Sequence, residues 1–432
     1  MLRSIRMAIA ASLIVTAPAA VAAGITLYPP LDGKNDSQAE LAIKMALWFG
    51  DLDTGMRTLE QLAAADDPEA WFGIGALKLA QTAEQLSQAL YRHGFALPDT
   101  SNAILGPGAR IPLQVNPNPE PLDYAGVRVM LSDFVTGMDE ARAAFLSAAP
   151  AGDYVIDINP LLVRIDANGD GAIGDNESLG WLFALMSNVD IDELLAPPKD
   201  GSPQFEHIGF DRADAYWLAG YTQVLAGQAD FLLAHDFSSF TDALFHRLFP
   251  KAGFPMQDYA EGGVLMMDPE TDTAIADLVA GIHTLDWPVI EPARLAGVRE
   301  RMKSVLDLSR QNWDAILEET DDDHELLPSP KQTAMIPGTS ITEAKVAAWR
   351  VTLDQAQRVI DGELLIPHWR FRQGFDLRAY FETATETDLV MLLTGAGAIP
   401  FLRDGPVAQP QDFQQMEDAF GTDWLGYVFW FN

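Results

Sequence analysis

The sequence predicts a mainly α-helical protein, a multi-helix globular body with a few short strands near the C-terminus. Apolar residues recur at spacings of three and four along much of the 432-residue chain, which is the period of amphipathic helices. Capping residues and first-turn prolines precede several of these segments. Strand-like patterns occur only after residue 365. The hydrophobic fraction of 48% is enough to bury a substantial core.

The chain is strongly acidic and contains no cysteine. Its 28 basic and 62 acidic residues give a formal charge of −34 at pH 7. Such a surface repels phosphate backbones and anionic membranes, so we expect no nucleic-acid partner, and it favours cations. The alternative is that the acidity only keeps the protein soluble in a salty habitat. The lack of cysteine excludes disulfides, thiolate metal sites, cysteine nucleophiles and lipoprotein acylation.

Residues 1–22 have the pattern of a bacterial secretory signal peptide. Two arginines precede a mostly apolar stretch at residues 7–15, and Ala20 and Ala22 are spaced as signal peptidase requires. We therefore expect cleavage after Ala22 and a periplasmic or secreted mature protein. No later stretch approaches eighteen uninterrupted apolar residues, so we expect no membrane span.

The mature chain is predicted to contain three packed regions, because single hydrophobic cores stop growing at about 250–300 residues. A helical region covers residues 23–150, a second with an acidic loop covers 151–270, and a third with short strands covers 271–432. A proline-rich loop at 96–124 in the first region is either functional or a plain linker. The predicted helices of that region cover residues 37–49, 53–64, 67–91 and 127–148.

The second region contains a loop, residues 166–177, in which oxygen donors recur at every second position. Positions one, three and five carry side-chain oxygens, and position seven supplies a backbone carbonyl. Position twelve is a glutamate that can close the site with both carboxylate oxygens. Calcium prefers six to eight oxygen ligands at about 2.3–2.6 Å, which this spacing supplies. The predicted metal ligands are Asp166, Asn168, Asp170, Ala172 and Glu177.

The twelve residues resemble the calcium-binding loop of EF-hand proteins, whose D-x-[DN]-x-[DN]-G pattern and closing glutamate they match without a departure. The resemblance implies Ca²⁺ as cofactor, a sharp turn at Gly171, a bridging water at Gly174 and an inward-turned Ile173 that anchors the loop to a core. The alternative is a solvated turn, since runs of Asp, Asn and Gly favour turns by themselves. The rest of the chain resembles no family.

The segments flanking the loop differ from those of a regulatory hand. Pro160 stands at a first helical position, which leaves an entering helix of only residues 161–165. The exiting segment at 179–186 is apolar and is predicted to be a buried helix. A second candidate loop beginning at Asp268 lacks the turn glycine and the closing glutamate, so we expect it to lead into a helix.

A nearly apolar helix capped by Asp211 is predicted to run as far as His235 at the centre of the core. Its polar members are candidates for a buried functional cluster, although capping and dipole effects explain those at the two ends. These candidates are Asp214, Gln223, Asp230, His235 and Asp236.

The remaining chain is predicted to be helical except for short strands. The loop at 250–268 is either a lid or a connector that packs its methionines onto the core. The acidic run at 318–325 is solvated surface or a weak cation site. Residues 366–372, the only basic island, are predicted to be a strand or extended segment, and 388–394 a buried strand. The predicted helices cover residues 273–285, 292–319 and 340–360.

Three classes of function fit these observations. The first is an exported calcium-binding helical protein whose metal stabilises the fold, with an unknown protein or small-molecule partner. The second is a secreted calcium-dependent hydrolase using the loop acids or His235, Asp236 and His368. No nucleophile elbow, zinc-binding helix motif or phosphate loop supports it, and its catalytic residues are unknown. The third is a calcium sensor, against which the single loop and the short entering helix argue.

Overall fold

Thirteen α-helices and six short strands make up the regular structure of the described chain, which confirms the mainly helical prediction. The predicted signal peptide and most of the proline-rich loop lie outside the described residues. None of the described helices combines the length and apolar composition needed to cross a membrane. The computed structural model describes residues 36–96, 115–150, 152–187, 208–257, 263–320, 322, 325–333, 341–421, 428 and 431.

The helices follow one another along the whole chain and are numbered in order. They are α1 (Gln38–Phe49), α2 (Leu52–Ala63), α3 (Pro68–Arg92), α4 (Tyr124–Ala148), α5 (Leu179–Ser187), α6 (Arg212–Leu233), α7 (Ser238–Leu248), α8 (Pro269–His283), α9 (Pro292–Glu318), α10 (Glu343–Ile360), α11 (Leu377–Thr383), α12 (Leu389–Thr394) and α13 (Gln414–Phe420).

The strands pair into three separate antiparallel ladders of two strands each. Three of the six, β4 to β6, lie near the C-terminus, as predicted, whereas β1 and β2, which bracket the acidic loop, and β3 were not predicted. Strands of three residues are too short to display a reliable alternating pattern. The pairs are β1 (Ile156–Ile158) with β2 (Ile208–Phe210), β3 (Asp286–Pro288) with β5 (Glu386–Asp388), and β4 (Gly374–Phe375) with β6 (Leu402–Arg403).

Side-chain caps set the starts of the predicted N-terminal helices. Asp67 Oδ1 accepts the N–H groups of Glu69 and Ala70 at 3.0 and 3.4 Å, and Pro68 occupies the first turn of α3. Ser37 caps α1 in the same way through the N–H of Glu40. Because cap and apolar period agree at these helices, α1 to α3 begin and end within about two residues of their predicted bounds.

Helix α6 lies at the centre of the core, as its nearly apolar sequence predicted. Its alanines let the long neighbouring helices α4 and α9 approach closely. Ala215 and Ala219 pack into the N-terminal core cluster, which also includes Leu308 of α9. Ala226 and Ala229 pack against α4. Residues from all three predicted regions therefore contact one helix.

The polar residues of α6 join the three central helices by charge. Arg301 of α9 donates to both carboxylate oxygens of Asp139 on α4 at 2.6 and 2.7 Å, and its Nε donates to Asp230 of α6 at 2.7 Å. Gln223 accepts from the same guanidinium at 3.0 Å, and Arg294 pairs with the other oxygen of Asp230. Two of the candidate functional residues, Gln223 and Asp230, thus hold helices together.

The predicted strand at 388–394 is wrong, because most of it is helix α12. Asp388 ends β5, and its Oδ1 accepts the N–H of Met391 at 2.8 Å, which caps the new helix. A short apolar run fits a buried strand and a buried helix equally well, so the cap decides. In the predicted extended segment at 366–372, only Ile366 pairs, with Phe375, and the chain then turns.

The prediction that the loop at 250–268 packs its methionines onto the core is also wrong. Met256, Met266 and Met267 are between 45% and 70% exposed. The carboxylate of Asp272 accepts the N–H groups of residues 265–267, so the backbone of this tip is held while its side chains face outward. Residues 258–262 of the loop lie outside the described chain.

Candidate metal centre

The acidic loop at residues 166–177 turns sharply because two of its glycines adopt left-handed conformations. Gly169 and Gly171 have φ angles of 76° and 77°, a region that other residues enter only at a cost. The turn directs successive N–H groups at the first predicted ligand. Asp166 Oδ1 accepts from Gly169 at 2.8 Å and from Asp170 at 3.2 Å, and Oδ2 accepts from Gly171 at 2.9 Å. Three backbone amides therefore fix this carboxylate.

The next two predicted ligands repeat the same kind of local bond. Asn168 Oδ1 accepts the N–H of Asp170 at 2.7 Å, and Asp170 Oδ1 accepts the N–H of Ala172 at 2.8 Å. The side-chain amide of Asn168 also donates to Asp170 Oδ2 at 3.0 Å. Each of these oxygens has a second lone pair, so it can accept an N–H group and still coordinate a cation.

Glu177 closes the loop from its buried end. The residue is only 4% exposed, and each carboxylate oxygen accepts one backbone N–H of the loop. Ala167 donates to Oε1 at 3.0 Å and Gly174 donates to Oε2 at 2.7 Å. Both oxygens at position twelve are therefore held in a fixed orientation toward the loop backbone.

Burial disfavours the charged form of two glutamates at this loop. Removal from water raises the pKa of Glu177, and the nearby carboxylates of Asp166 and Asp170 raise it as well, against the opposing effect of the two N–H bonds. Burial also raises the pKa of Glu84 on α3, although Glu84 accepts the N–H of Asp166. A divalent cation beside these groups would favour their ionised forms.

The loop is fixed to the helices that precede it in sequence. Gln88 Nε2 donates to the carbonyl oxygen of Asp166 at 2.8 Å, and Glu84 accepts the N–H of the same residue at 2.8 Å. Ile173 packs against Gly50 at the end of α1, so closely that a Cβ at Gly50 would lie 2.0 Å from Ile173 Cδ1. The predicted apolar anchor of the loop therefore contacts the first helix of the body.

The entering segment is even shorter than predicted. Only the 3₁₀ turn Pro160–Leu162 replaces the expected helix at 161–165. The chain must straighten directly after this turn, because Arg164 pairs with Ser178 as an antiparallel bridge across the loop. The sequence did not predict this pairing, which ends the 3₁₀ turn at Pro160–Leu162.

The exiting segment is helix α5, as predicted, and it packs tightly on the entering turn. A Cβ at Gly180 would lie 2.6 Å from the carbonyl oxygen of Leu161, so only glycine permits this approach. Leu182 and Ala184 are buried on the same helix. The two flanks of the loop are therefore in direct contact.

The predicted ligands suit a hard cation by their chemistry, because all are oxygen donors on one short loop. Within the described residues, no three histidine, aspartate or glutamate side chains are gathered so that they could hold a metal ion. The loop carboxylates instead bind backbone amides. Calcium binding would therefore require Asp166, Asp170 and Glu177 to move closer together, with the charge of the cation as the driving force.

His235, a candidate catalytic residue, is a partnered core histidine. Its ring is fully buried, with Nδ1 2.6 Å from the carbonyl oxygen of Phe231 and Nε2 2.7 Å from Thr387 Oγ1. Thr387 in turn contacts the Tyr380 hydroxyl at 2.6 Å. Burial lowers the pKa of His235, so the ring is neutral at pH 7.

Asp236 and His368, the other two candidates, lie in different settings. Asp236 accepts the N–H of Ser238 at the start of α7, and His368 Nε2 bonds to the carbonyl oxygen of Leu392 at 3.1 Å. In the part of the chain that the structure describes, no hydrogen bond or ion pair joins His368 to Asp236 or His235. These residues therefore do not form a site for the hydrolase hypothesis.

A second group of acidic side chains lies where α6 begins and α9 ends; it joins the candidate Asp214 to the acidic run at 318–325, a contact that the sequence did not predict. Asp214 and Glu325 are each 5% exposed, and Glu319 accepts from Gln332 Nε2 at 3.1 Å. Burial and the charge of Asp211 raise the pKa of Asp214 well above its usual value, and the same two effects together with the charge of Glu325 raise the pKa of Glu319 to about 9. These effects favour the protonated form of Glu319 at pH 7.

The prediction that the acidic run at 318–325 is solvated surface is thus wrong for Glu319 and Glu325. The sequence of this run does not indicate burial, because the acidic residues near it lie at the start of α6, about one hundred residues earlier in the chain. Tyr154 lies close by, since burial and the charges of Asp211 and Asp214 raise its pKa, and among the described residues its buried hydroxyl has no hydrogen-bond partner.

Comparison with protein families, curated proteins and solved structures finds no match for this chain. The fold and the loop therefore define its class by themselves. The chain is a mainly helical protein with one oxygen-rich twelve-residue loop fixed to its first and third helices.

Proposed function

We propose that this protein binds one calcium ion in the loop at residues 166–177 and uses it to stabilise the fold. The bound ion would take oxygens from the side chains of the loop and one backbone carbonyl. Its charge would offset the repulsion between carboxylates that burial intensifies. The proposed ligands are Asp166, Asn168, Asp170, Ala172 and Glu177.

The observation that carries this proposal is the backbone geometry of the loop. Two left-handed glycines and a series of side-chain-to-amide bonds fix the backbone turn of the loop before any cation arrives, so that binding needs only a rearrangement of side chains. Such preorganisation lowers the entropy that binding must remove. A plain solvated turn has no need of a buried glutamate such as Glu177 bonded at both oxygens.

A structural role for the ion is better supported than a signalling role. Gly180 lies against the backbone of Leu161, and Ile173 lies against Gly50, so both flanks of the loop are already packed. A sensor would need a helix pair that opens on binding. We propose that the protein is exported by its predicted signal at 1–22, where calcium is plentiful and weak sites suffice. Its protein or small-molecule partner stays unknown.

Isothermal titration of matched variants tests the site. Glu177→Gln removes a charge and one oxygen from the closing position and should weaken calcium binding at least about tenfold, since a bond to a charged group contributes about 1.5–3 kcal/mol. Asp170→Asn, at an exposed ligand position, should weaken it as well. Asp175→Asn is the control, because Asp175 is half exposed and pairs with Arg164 at 3.0 Å. Its affinity should change less than about twofold.

Equal losses in Asp175→Asn and Asp170→Asn would mean that general acidity holds the ion and would overturn the proposal. Melting curves in chelator show whether each variant is folded. This control matters for Glu177→Gln in particular, because Glu177 also bonds two loop amides.

A further inference from the structure

The basic island of the sequence forms an exposed corner of the protein. We call it the Trp369 corner, defined by Trp369, Arg370, Arg372, Leu393 and Arg403. Three backbone connections bring its parts together. Ile366 pairs with Phe375, β4 pairs with β6, and the Trp369 indole N–H donates to the carbonyl oxygen of Leu393 at 2.9 Å.

The tryptophan of this corner is fixed in place yet faces solvent. Trp369 is 75% exposed although its indole N–H is bonded, and Leu393 beside it is 73% exposed. The Arg370 guanidinium lies 5.0 Å from the centroid of the Trp369 ring. The His368 ring stacks against the Trp369 ring, with 6.1 Å between the two centroids. A large apolar ring that is held outward rather than folded inward gives a preformed contact surface.

The three arginines of the corner have no acidic partner. Arg370, Arg372 and Arg403 are exposed, and within the described residues none of them lies within 4.0 Å of a carboxylate. Among the described residues, Arg403 donates to the carbonyl oxygens of Pro400 and Leu402. In a chain with a formal charge of −34, three arginines without an acidic partner on neighbouring segments, one of them beside an exposed aromatic ring, are a local reversal of sign.

We propose that the Trp369 corner docks the protein on the anionic headgroups of a phospholipid bilayer. Tryptophan is favoured at the membrane–water interface, where its ring is apolar and its N–H is polar. Arginines around it attract the lipid phosphates and place their charged ends among the headgroups. Leu393 would enter the boundary beside Trp369.

The overall negative charge restricts this docking to one orientation. At physiological ionic strength charges act over about 8 Å, so acidic side chains farther than that from the corner oppose docking only weakly. The charge that argues against a general membrane association therefore favours contact through this corner.

Another exposed apolar surface lies on α8 and serves as a comparison. Its apolar side chains face solvent at helical spacing, but no unpaired arginine accompanies them, and nothing indicates which partner covers them. These side chains are Ile275, Leu278, Val279 and Ile282.

Vesicle co-sedimentation of the mature protein tests the proposal. The protein should partition onto vesicles of equal parts phosphatidylglycerol and phosphatidylcholine at least about tenfold more strongly than onto phosphatidylcholine alone. Arg370→Gln/Arg372→Gln should reduce partitioning onto the anionic vesicles about 30-fold. The matched control is Arg57→Gln/Arg92→Gln, which removes two exposed arginines elsewhere and should leave partitioning unchanged or slightly reduced.

Brominated lipids give a second readout that a structural defect would not move. They should quench part of the tryptophan fluorescence of the wild-type protein, and Trp369→Phe should lose that part. Trp369, Arg370 and Arg372 are all exposed, so the melting temperatures of these variants should stay within about 1–2 °C of wild type. The same measurements in chelator separate this docking from the proposed calcium site.

Three outcomes would overturn the proposal. The first is equal partitioning of the wild-type protein and Arg370→Gln/Arg372→Gln. The second is loss of partitioning in Leu278→Ala/Val279→Ala on α8 with the corner intact. The third is absence of vesicle binding together with self-association that Arg370→Gln/Arg372→Gln abolishes. That result would assign the corner to the acidic surface of a second copy.

Discussion

Glu319 is one of two enclosed acids, with Asp214, whose raised pKa makes the stability of the protein depend on pH. Burial and the charges of Asp211 and Glu325 together raise the pKa of Glu319 to about 9, against the opposing effect of the N–H of Gln332. The folded chain therefore keeps a proton on Glu319 between about pH 4.5 and 9, whereas the unfolded chain does not. Stability should fall as pH rises through this window, because the folded state binds more protons than the unfolded state.

Glu319→Gln should remove much of this pH dependence. Glutamine has the same size and can still accept from Gln332, but it has no proton to lose. We expect the variant to be more stable than wild type at pH 8.5 and close to it at pH 4.5, measured by urea unfolding in chelator. The control is Glu318→Gln, whose carboxylate is exposed and pairs with Arg212. If the free energy of unfolding of Glu319→Gln fell with pH as steeply as that of wild type, Glu319 would ionise freely in the folded protein.

At the level of the helices, the guanidinium of Arg301 joins α4, α6 and α9 through its bonds to Asp139 and Asp230. Arg301→Met should lower the free energy of unfolding by about 3 kcal/mol, because Asp139 and Asp230 lose their shared partner in a partly buried setting. Urea unfolding measures this loss. Arg350→Met is the control, since Arg350 and Asp314 are both exposed and such pairs contribute about 0–1 kcal/mol. Similar losses in both variants would contradict a special role for the central network.

The contact between α1 and the acidic loop can be tested with two glycines of nearly equal φ. Gly50 and Gly171 have φ of 73° and 77°, so alanine strains the backbone similarly at both. Only at Gly50 would the new Cβ overlap Ile173, whereas Gly171 has no atom within 4 Å of that position. We expect Gly50→Ala to cost about 1–3 kcal/mol more than Gly171→Ala in chelator.

A double variant identifies the contact responsible. In the Ile173→Ala background the side chain that meets the new Cβ is gone, so Gly50→Ala should cost no more than Gly171→Ala. Thermal and urea unfolding of the four proteins provide the cycle. An undiminished cost in the Ile173→Ala background would place the strain at Gly50 itself and leave the loop uncoupled from α1.

For the whole molecule, the proposed structural calcium predicts a melting shift without exposure of apolar surface. At about 100 times the dissociation constant, binding to the folded state alone adds about 2.7 kcal/mol. For a subdomain of about 150–250 residues around the loop, this corresponds to a rise in melting temperature of about 5–10 °C. Hydrophobic-dye binding should change little, because α5 already packs on the turn at Leu161. Strong calcium-dependent dye binding without a melting shift would favour a sensor.

The sequence by itself determined the long helices and the oxygen donors present in the acidic loop. Asp67 with Pro68, and Asp211 with the apolar period after it, define α3 and α6 because caps and periodicity act between residues close in sequence. The glycine of the loop is likewise a local requirement, and Gly171 takes the left-handed conformation that its position in the pattern implies.

Only the tertiary structure decided which polar and apolar groups are buried. The acidic residue Glu325 is enclosed by helices from distant parts of the chain, whereas the apolar Met266 is exposed. The backbone at Arg164 is extended because Arg164 pairs with Ser178, and this pairing shortens the turn that enters the loop. Burial and strand pairing depend on which elements, distant in sequence, pack against each other. The free energy of this packing is distributed over the whole core and is not encoded in any one segment.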